Sequence, residues 1–95
     1  MHKIEVENIN HPGVIRRVDQ DRYIAMRTAY LSVLSKDEPG LTLAEIYTRL
    51  VPLLPADLFP NGEKSGWWAK CVQLDLEAKG LAFRGKGSPV RLRGR

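Results

Sequence analysis

The 95-residue chain has one cysteine, two histidines and no unbroken apolar stretch of the about 20 residues that a membrane-spanning helix needs. Each scarcity closes off a class of protein. A single thiol, Cys71, excludes an intrachain disulfide, and nothing points to export. His2 and His11 lie near the start and Cys71 lies far from both, so no spacing matches a zinc site. The opening residues, with Lys3, Glu5 and Glu7, lack the apolar centre of a signal peptide, and a cytoplasmic location is expected. No G-x-S-x-G motif is present, and the carboxylates are scattered without an acid–base pair. Gly85-Lys86-Gly87-Ser88 is turn chemistry, because a phosphate loop must lead into a helix and here a strand pattern follows. No enzyme activity, cofactor, metal, membrane partner or small-molecule substrate is expected.

The composition is that of one globular domain, with 43% apolar and 27% charged residues. The net charge of +4 is unevenly placed. Residues 1–63 carry seven Lys/Arg and nine Asp/Glu, whereas residues 64–95 carry eight Lys/Arg and two Asp/Glu. From Phe83 to Arg95 there are five cations and no acid. A one-sided basic region is the electrostatic footprint of a polyanion binder, although a solvated basic tail has the same composition.

Residues 1–18 read as an N-terminal extended arm or short strand, and residues 19–95 as the helical domain that follows it. Ile4 and Val6 alternate with Glu5 and Glu7, His11-Pro12-Gly13 is a turn, and Val14-Ile15 are apolar enough to dock on the core. A first helix opens with Asp19 as N-cap, carries Tyr23, Met26, Tyr30 and Val33 with Ile24, Leu31 and Leu34 on a broad apolar face, and ends near Ser35. Asp37-Glu38-Pro39-Gly40 is a turn. Thr42-Leu43-Ala44-Glu45 is a capping box for a second helix, with Leu43, Ile46, Tyr47 and Leu50 on one face. Pro52 ends it, and within the proline-marked stretch 52–64 the apolar Leu58 and Phe59 are expected to pack down.

The third helix runs from Ser65, as N-cap, to Gly80 at the C-terminal cap. Trp67, Cys71, Leu74 and Ala78 share one sector and Trp68, Val72 and Leu76 the next, leaving Lys70, Gln73 and Glu77 as the polar stripe. Asp75 lies between the apolar sectors, and a carboxylate there must pair with an arginine or a backbone donor. Adjacent tryptophans diverge by about 100°, so one belongs to the core, and the other covers the connection or meets a partner. After Gly80 the period becomes two. Leu81, Phe83, Val90 and Leu92 should face inward on paired strands 81–84 and 89–93.

Three helices followed by a basic hairpin resemble the winged helix-turn-helix. The run Leu74-Asp75-Leu76-Glu77-Ala78-Lys79-Gly80-Leu81 resembles the junction between recognition helix and wing in such domains. Gly66-Trp67-Trp68-Ala69-Lys70 with Val72-Gln73-Leu74-Asp75-Leu76-Glu77, and the earlier His11-Pro12-Gly13, are also similar to a family of small uncharacterised bacterial proteins. The first resemblance implies an α+β winged-helix fold and a duplex DNA-binding protein, a transcriptional regulator by type. Lys64, Lys70, Gln73, Arg84, Lys86, Arg91 and Arg93 would then contact nucleic acid, with Lys70 and Gln73 suited to base edges and the wing cations to phosphate. The alternative is a protein-interaction or self-associating module of the same fold, a homodimer for instance, that uses Trp67 or Trp68. One departure stands out. A helix-turn-helix connects its helices by about 3–4 residues, and here 13 residues, 52–64, intervene.

Overall fold

The computed structural model describes residues 2–95. In chain order the elements are β1 (Lys3–Val6), β2 (Arg16–Asp19), α1 (Gln20–Val33), β3 (Leu41–Thr42), α2 (Leu43–Leu50), α3 (Ser65–Ala78), β4 (Ala82–Arg84) and β5 (Arg91–Gly94). The strands form two antiparallel sheets. One is the β1–β2 hairpin, and the other has the order β3–β5–β4. The protein is a small α+β fold of three helices and two small sheets.

Local signals set most boundaries. Asp19 caps α1 by accepting from the Arg22 backbone N–H at 3.1 Å. Thr42 and Glu45 close the capping box of α2 in both directions, at 2.9 and 3.1 Å. The C-terminus of α3 is sealed by two backbone bonds, from Gly80 N–H to Glu77 O at 3.2 Å and from Leu81 N–H to Leu76 O at 2.9 Å. Gly80 takes the left-handed φ of +71° that this cap requires.

The core gathers Tyr23, Met26 and Tyr30 of α1, Ile46 and Leu50 of α2, Trp68, Val72 and Leu76 of α3, and Leu92 of β5. The connection between α2 and α3 is part of this core. Phe59 is buried, the Arg22 guanidinium donates to Leu58 O at 3.1 Å, and Tyr47 and Ser65 share a hydroxyl–hydroxyl bond of 2.6 Å. Burying a phenylalanine contributes roughly 2–3 kcal/mol. The long connection is therefore folded down by its apolar residues, as Leu58 and Phe59 suggest.

Several expectations are corrected. The N-terminal segment is a hairpin whose Val6 enters the core, whereas Val14 and Ile15 in its connecting loop are 53% and 57% exposed. Ile24 and Leu31 lie on the outside of α1, so its buried face is narrower than the sequence implies. Ser65 is not the cap of α3. Lys64 holds that position at φ +61° without a side-chain bond, and Ser65 is buried against Tyr47. On β4 the inward residue is Ala82 rather than Phe83. Ala82 pairs with Gly94 and Arg84 with Leu92, which puts Ala82, Arg84, Leu92 and Gly94 on the core face. Phe83 turns outward beneath the Arg93 guanidinium, 5.2 Å from its ring centre. The register is the cause, because Arg84 rather than Phe83 lies opposite the buried Leu92, and a one-residue difference in pairing exchanges the faces.

The short β3 depends on Gly40. At φ +84°, a Cβ placed there would come within 2.3 Å of the Leu92 carbonyl oxygen. Only glycine lets the chain pass so close to β5. Gly40→Ala is therefore expected to destabilise by more than about 3 kcal/mol, combining strained backbone with a backbone clash. Thr42→Ala two residues later should lose only about 1 kcal/mol, the worth of one cap. Urea unfolding of both variants checks the order. Equal losses would show that β3 does not hold the sheet.

Candidate functional site

Helix α3 is packed on nearly its whole circumference, with nine of its fourteen residues buried. The core takes Trp68, Val72 and Leu76. The N-terminal hairpin covers the side with Leu74 and Asp75, where Ile9 N–H reaches Leu74 O at 3.3 Å and Glu7 N–H reaches Asp75 Oδ1 at 2.8 Å. The expected polar stripe is mostly covered as well. Gln73 is only 3% exposed, and its amide donates to Glu77 at 3.0 Å. Glu77 in turn takes Arg84 at 2.5 Å. Of the stripe only Lys70 remains open, and Lys64, Gly66 and Trp67 are exposed beside it on the first turns.

The basic hairpin is less free than its composition suggests. Arg84 is bound to Glu77, which raises the guanidinium pKa above its already high value. Arg91 lies 3.6 Å from Glu45 and donates to Gly40 O at 3.3 Å. Glu45 is held below the ordinary carboxylate range, first by the Thr42 backbone N–H and hydroxyl, and then by Arg91. Arg93 lies 4.0 Å from Glu38 and covers Phe83. Among the described residues, Lys64, Lys70 and Lys86 are exposed and have no ion-pair partner. The seven basic and amide positions singled out by the sequence therefore divide. Lys64 caps the start of α3 and Lys70 lies within its first two turns, Lys86 is in the hairpin connection, Arg91 and Arg93 are half-buried beside carboxylates, and Gln73 and Arg84 are turned onto Glu77.

The two tryptophans separate as their spacing requires. Trp68 is in the core and Trp67 is 54% exposed, with ring centres 5.0 Å apart and planes at 81°. Sequence reasoning overlooked the residues across from Trp67. Val14, Arg16, Arg17 and Val18 of the hairpin face Trp67, Lys70 and Cys71 over a cleft of about 450 Å³. The Arg16-Arg17 doublet was the available signal, but nothing local says that an N-terminal strand will lie against α3.

The buried titratable groups are structural. Asp75 is fully buried and accepts from the Tyr23 hydroxyl, from Lys79 at 2.8 Å and from Glu7 N–H. The partners are a lysine, a phenol and a backbone amide, where an arginine or backbone donor was expected. Burial pushes the Tyr23 and Tyr30 phenols well above their usual range, with Asp75 adding to the effect at Tyr23 and Glu77 at Tyr30. Among the described residues, no group of three or more His, Cys, Asp or Glu is placed to hold a metal ion. Among the described residues, no helix is long and apolar enough to cross a membrane.

A small α+β protein with a basic, aromatic-edged helix start is the class these features define. The chain belongs to a family of unknown function, DUF6958, which matches residues 3–92. No curated protein and no solved structure matches it.

The phenols give a pH expectation. The folded state keeps both protons beyond about pH 10, where an unfolded tyrosine loses its own. Their contribution is intact below that pH and is lost as pH rises through it toward the folded value. Tyr23→Phe should lose about 1–3 kcal/mol at neutral pH, because Asp75 loses a donor, and should show a shallower alkaline decline than the parent. Urea melts at about pH 7 and about pH 11 measure both effects. An unchanged alkaline slope would show that the Tyr23 proton is not linked to folding.

Proposed function

We propose that this protein is a winged-helix module that binds duplex DNA in the bacterial cytoplasm in a regulatory role, without catalysis or cofactor. The observation that carries this reading is topological. The chain runs α1, β3, α2, α3, β4, β5, and the short strand ahead of α2 pairs with β5 to give the sheet order β3–β5–β4. That is the order in which a winged helix-turn-helix assembles its three-stranded sheet beside the last helix. In helix-turn-helix proteins the N-terminal residues of the recognition helix meet the base edges. Here those turns are the open part of α3, and they carry Lys64 and Lys70. Lys86 at the hairpin connection supplies the wing contact to phosphate. Arg91 and Arg93 join only by exchanging Glu45 and Glu38 for phosphate oxygens, and Gln73 and Arg84 stay with Glu77.

The alternative has its own support. Ile9, Val14, Ile15 and Trp67 are all exposed, and Val14 and Trp67 border the same cleft. An apolar edge of this kind suits a protein partner or a second copy of the chain.

Salt separates the two. Each lysine that lies on a phosphate releases counterion, so log K should fall with log salt at a slope of about −1 per such lysine. Replacing Lys64, Lys70 and Lys86 together with Gln should flatten the slope by about one unit for each phosphate left without its lysine. Fluorescence anisotropy on random duplex, at low and physiological salt, measures this. No affinity at low salt removes the DNA reading. A salt-insensitive dimer by sedimentation, abolished in Trp67→Ala, would put self-association in its place.

A further inference from the structure

The cleft between the N-terminal hairpin and α3 shares Lys70 with the DNA reading above, and its chemistry is specific. Its volume of about 450 Å³ falls within the range of small-molecule sites, roughly 300–1,000 Å³. The wall is apolar where Val6, Val18 and Leu74 meet, and one edge is the exposed Trp67.

The position of Arg16 is the informative feature. On β1–β2, Ile4 pairs with Val18 and Val6 with Arg16, so these four residues occupy the inward face of the hairpin. Three are apolar, and the fourth is an arginine where an aliphatic residue would close the gap. Among the described residues Arg16 has no acidic partner, and neither does Lys70 on the facing helix. Arg16, although exposed, lines the cleft together with Cys71. Burial and the charge of Asp75 push the thiol pKa up, and Arg16 pulls against them. The thiol stays protonated and adds to the apolar wall. The other charged or titratable side chains lining the cleft are Arg17, His11 and Glu7.

We propose that this cleft binds a small aromatic carboxylate, its carboxylate held between Arg16 and Lys70 and its ring against Trp67. An arginine matches a carboxylate with two parallel N–H donors, a lysine adds a second cation, and a flat ring is what an exposed indole face selects. Val6, Val18 and Leu74 in the cleft wall give the ring apolar contact. The site needs only the cleft, so it stands whether or not the protein binds DNA. If both hold, Lys70 is shared, and the ligand and duplex compete for it.

The probes are 2-naphthoate and its neutral counterpart 2-naphthamide, titrated into the full chain by calorimetry and by amide shifts. Naphthoate should bind at one saturable site with a Kd of about 1 mM or tighter. The shifts should centre on residues 6–18 and 67–74, and the amide should bind at least about tenfold more weakly. Arg16→Gln and Lys70→Gln should each weaken naphthoate by about fivefold to tenfold and leave the far-ultraviolet dichroism unchanged. Lys70 is exposed, so its variant tests the site even if Arg16→Gln alters the hairpin. Trp67→Ala should weaken both probes together. The proposal is overturned by the absence of saturable binding, by equal affinity for acid and amide, by shifts centred elsewhere, or by full affinity in Lys70→Gln.

Discussion

A carboxylate buried on the last helix holds the fold together. Asp75 has no exposed surface, and an unpaired charge there would be prohibitive. It is tolerated because three donors reach it from three parts of the chain: the Tyr23 hydroxyl of α1, Lys79 one turn further along α3, and Glu7 N–H at the end of β1. Two residues away, Glu77 does the same on the far side of the helix, with Gln73 and Arg84 as its donors. Positions two apart on a helix diverge by about 200°, so the two acids point in nearly opposite directions. One fastens the N-terminal hairpin and α1, and the other fastens β4. Helix α3 is thereby the spine of the protein, and the only two acids among residues 64–95 are its two fasteners.

This arrangement changes what the charge distribution means. Counting along the sequence gives an acidic part, residues 1–63, and a basic part, residues 64–95, and suggests a free cationic wing. In space the two parts interleave. Glu38 and Glu45 come from the turn and helix next to β5, and Glu77 comes from beneath β4. Each meets an arginine of the hairpin. Exposed pairs such as Arg91–Glu45 and Arg93–Glu38 add little stability, with a typical value of about 0–1 kcal/mol. Their effect is on availability, since an arginine near a carboxylate approaches a polyanion less readily than Lys64, Lys70 or Lys86.

What the sequence made legible was local. The caps at Asp19 and Thr42, the glycine closing α3, the packing of Phe59 and the division between Trp67 and Trp68 follow from neighbours within a few residues. The features that escaped depend on distant pairing. Two residues, Leu41 and Thr42, are too few to show a period, and they are a strand only because β5 lies alongside. The phase of β4 is set by its register against β5, which places Arg84 opposite Leu92 and which no local pattern shows. Gln73 and Glu77 read as a solvent stripe because helical periodicity treats every polar residue as outward. It has no means of showing that an arginine seven residues later will bury Glu77. Arg16 was invisible as part of a site for the same reason, since its meaning comes from α3 lying opposite.

The N-terminal hairpin is therefore more than an appendage to a helical domain. It covers the second half of α3 by backbone contacts to Leu74 and Asp75 and leaves the first half open. On the DNA reading proposed above, a groove would meet the N-terminal end of α3, and the hairpin covers the other end. It adds a second wall next to Trp67 and Lys70, lined by Arg16 and Val18. The same docking through Asp75 that stabilises the helix thus creates a face where cations, an indole and an apolar recess meet. The candidate surface and the structural fastening are two consequences of where one strand lies against one helix.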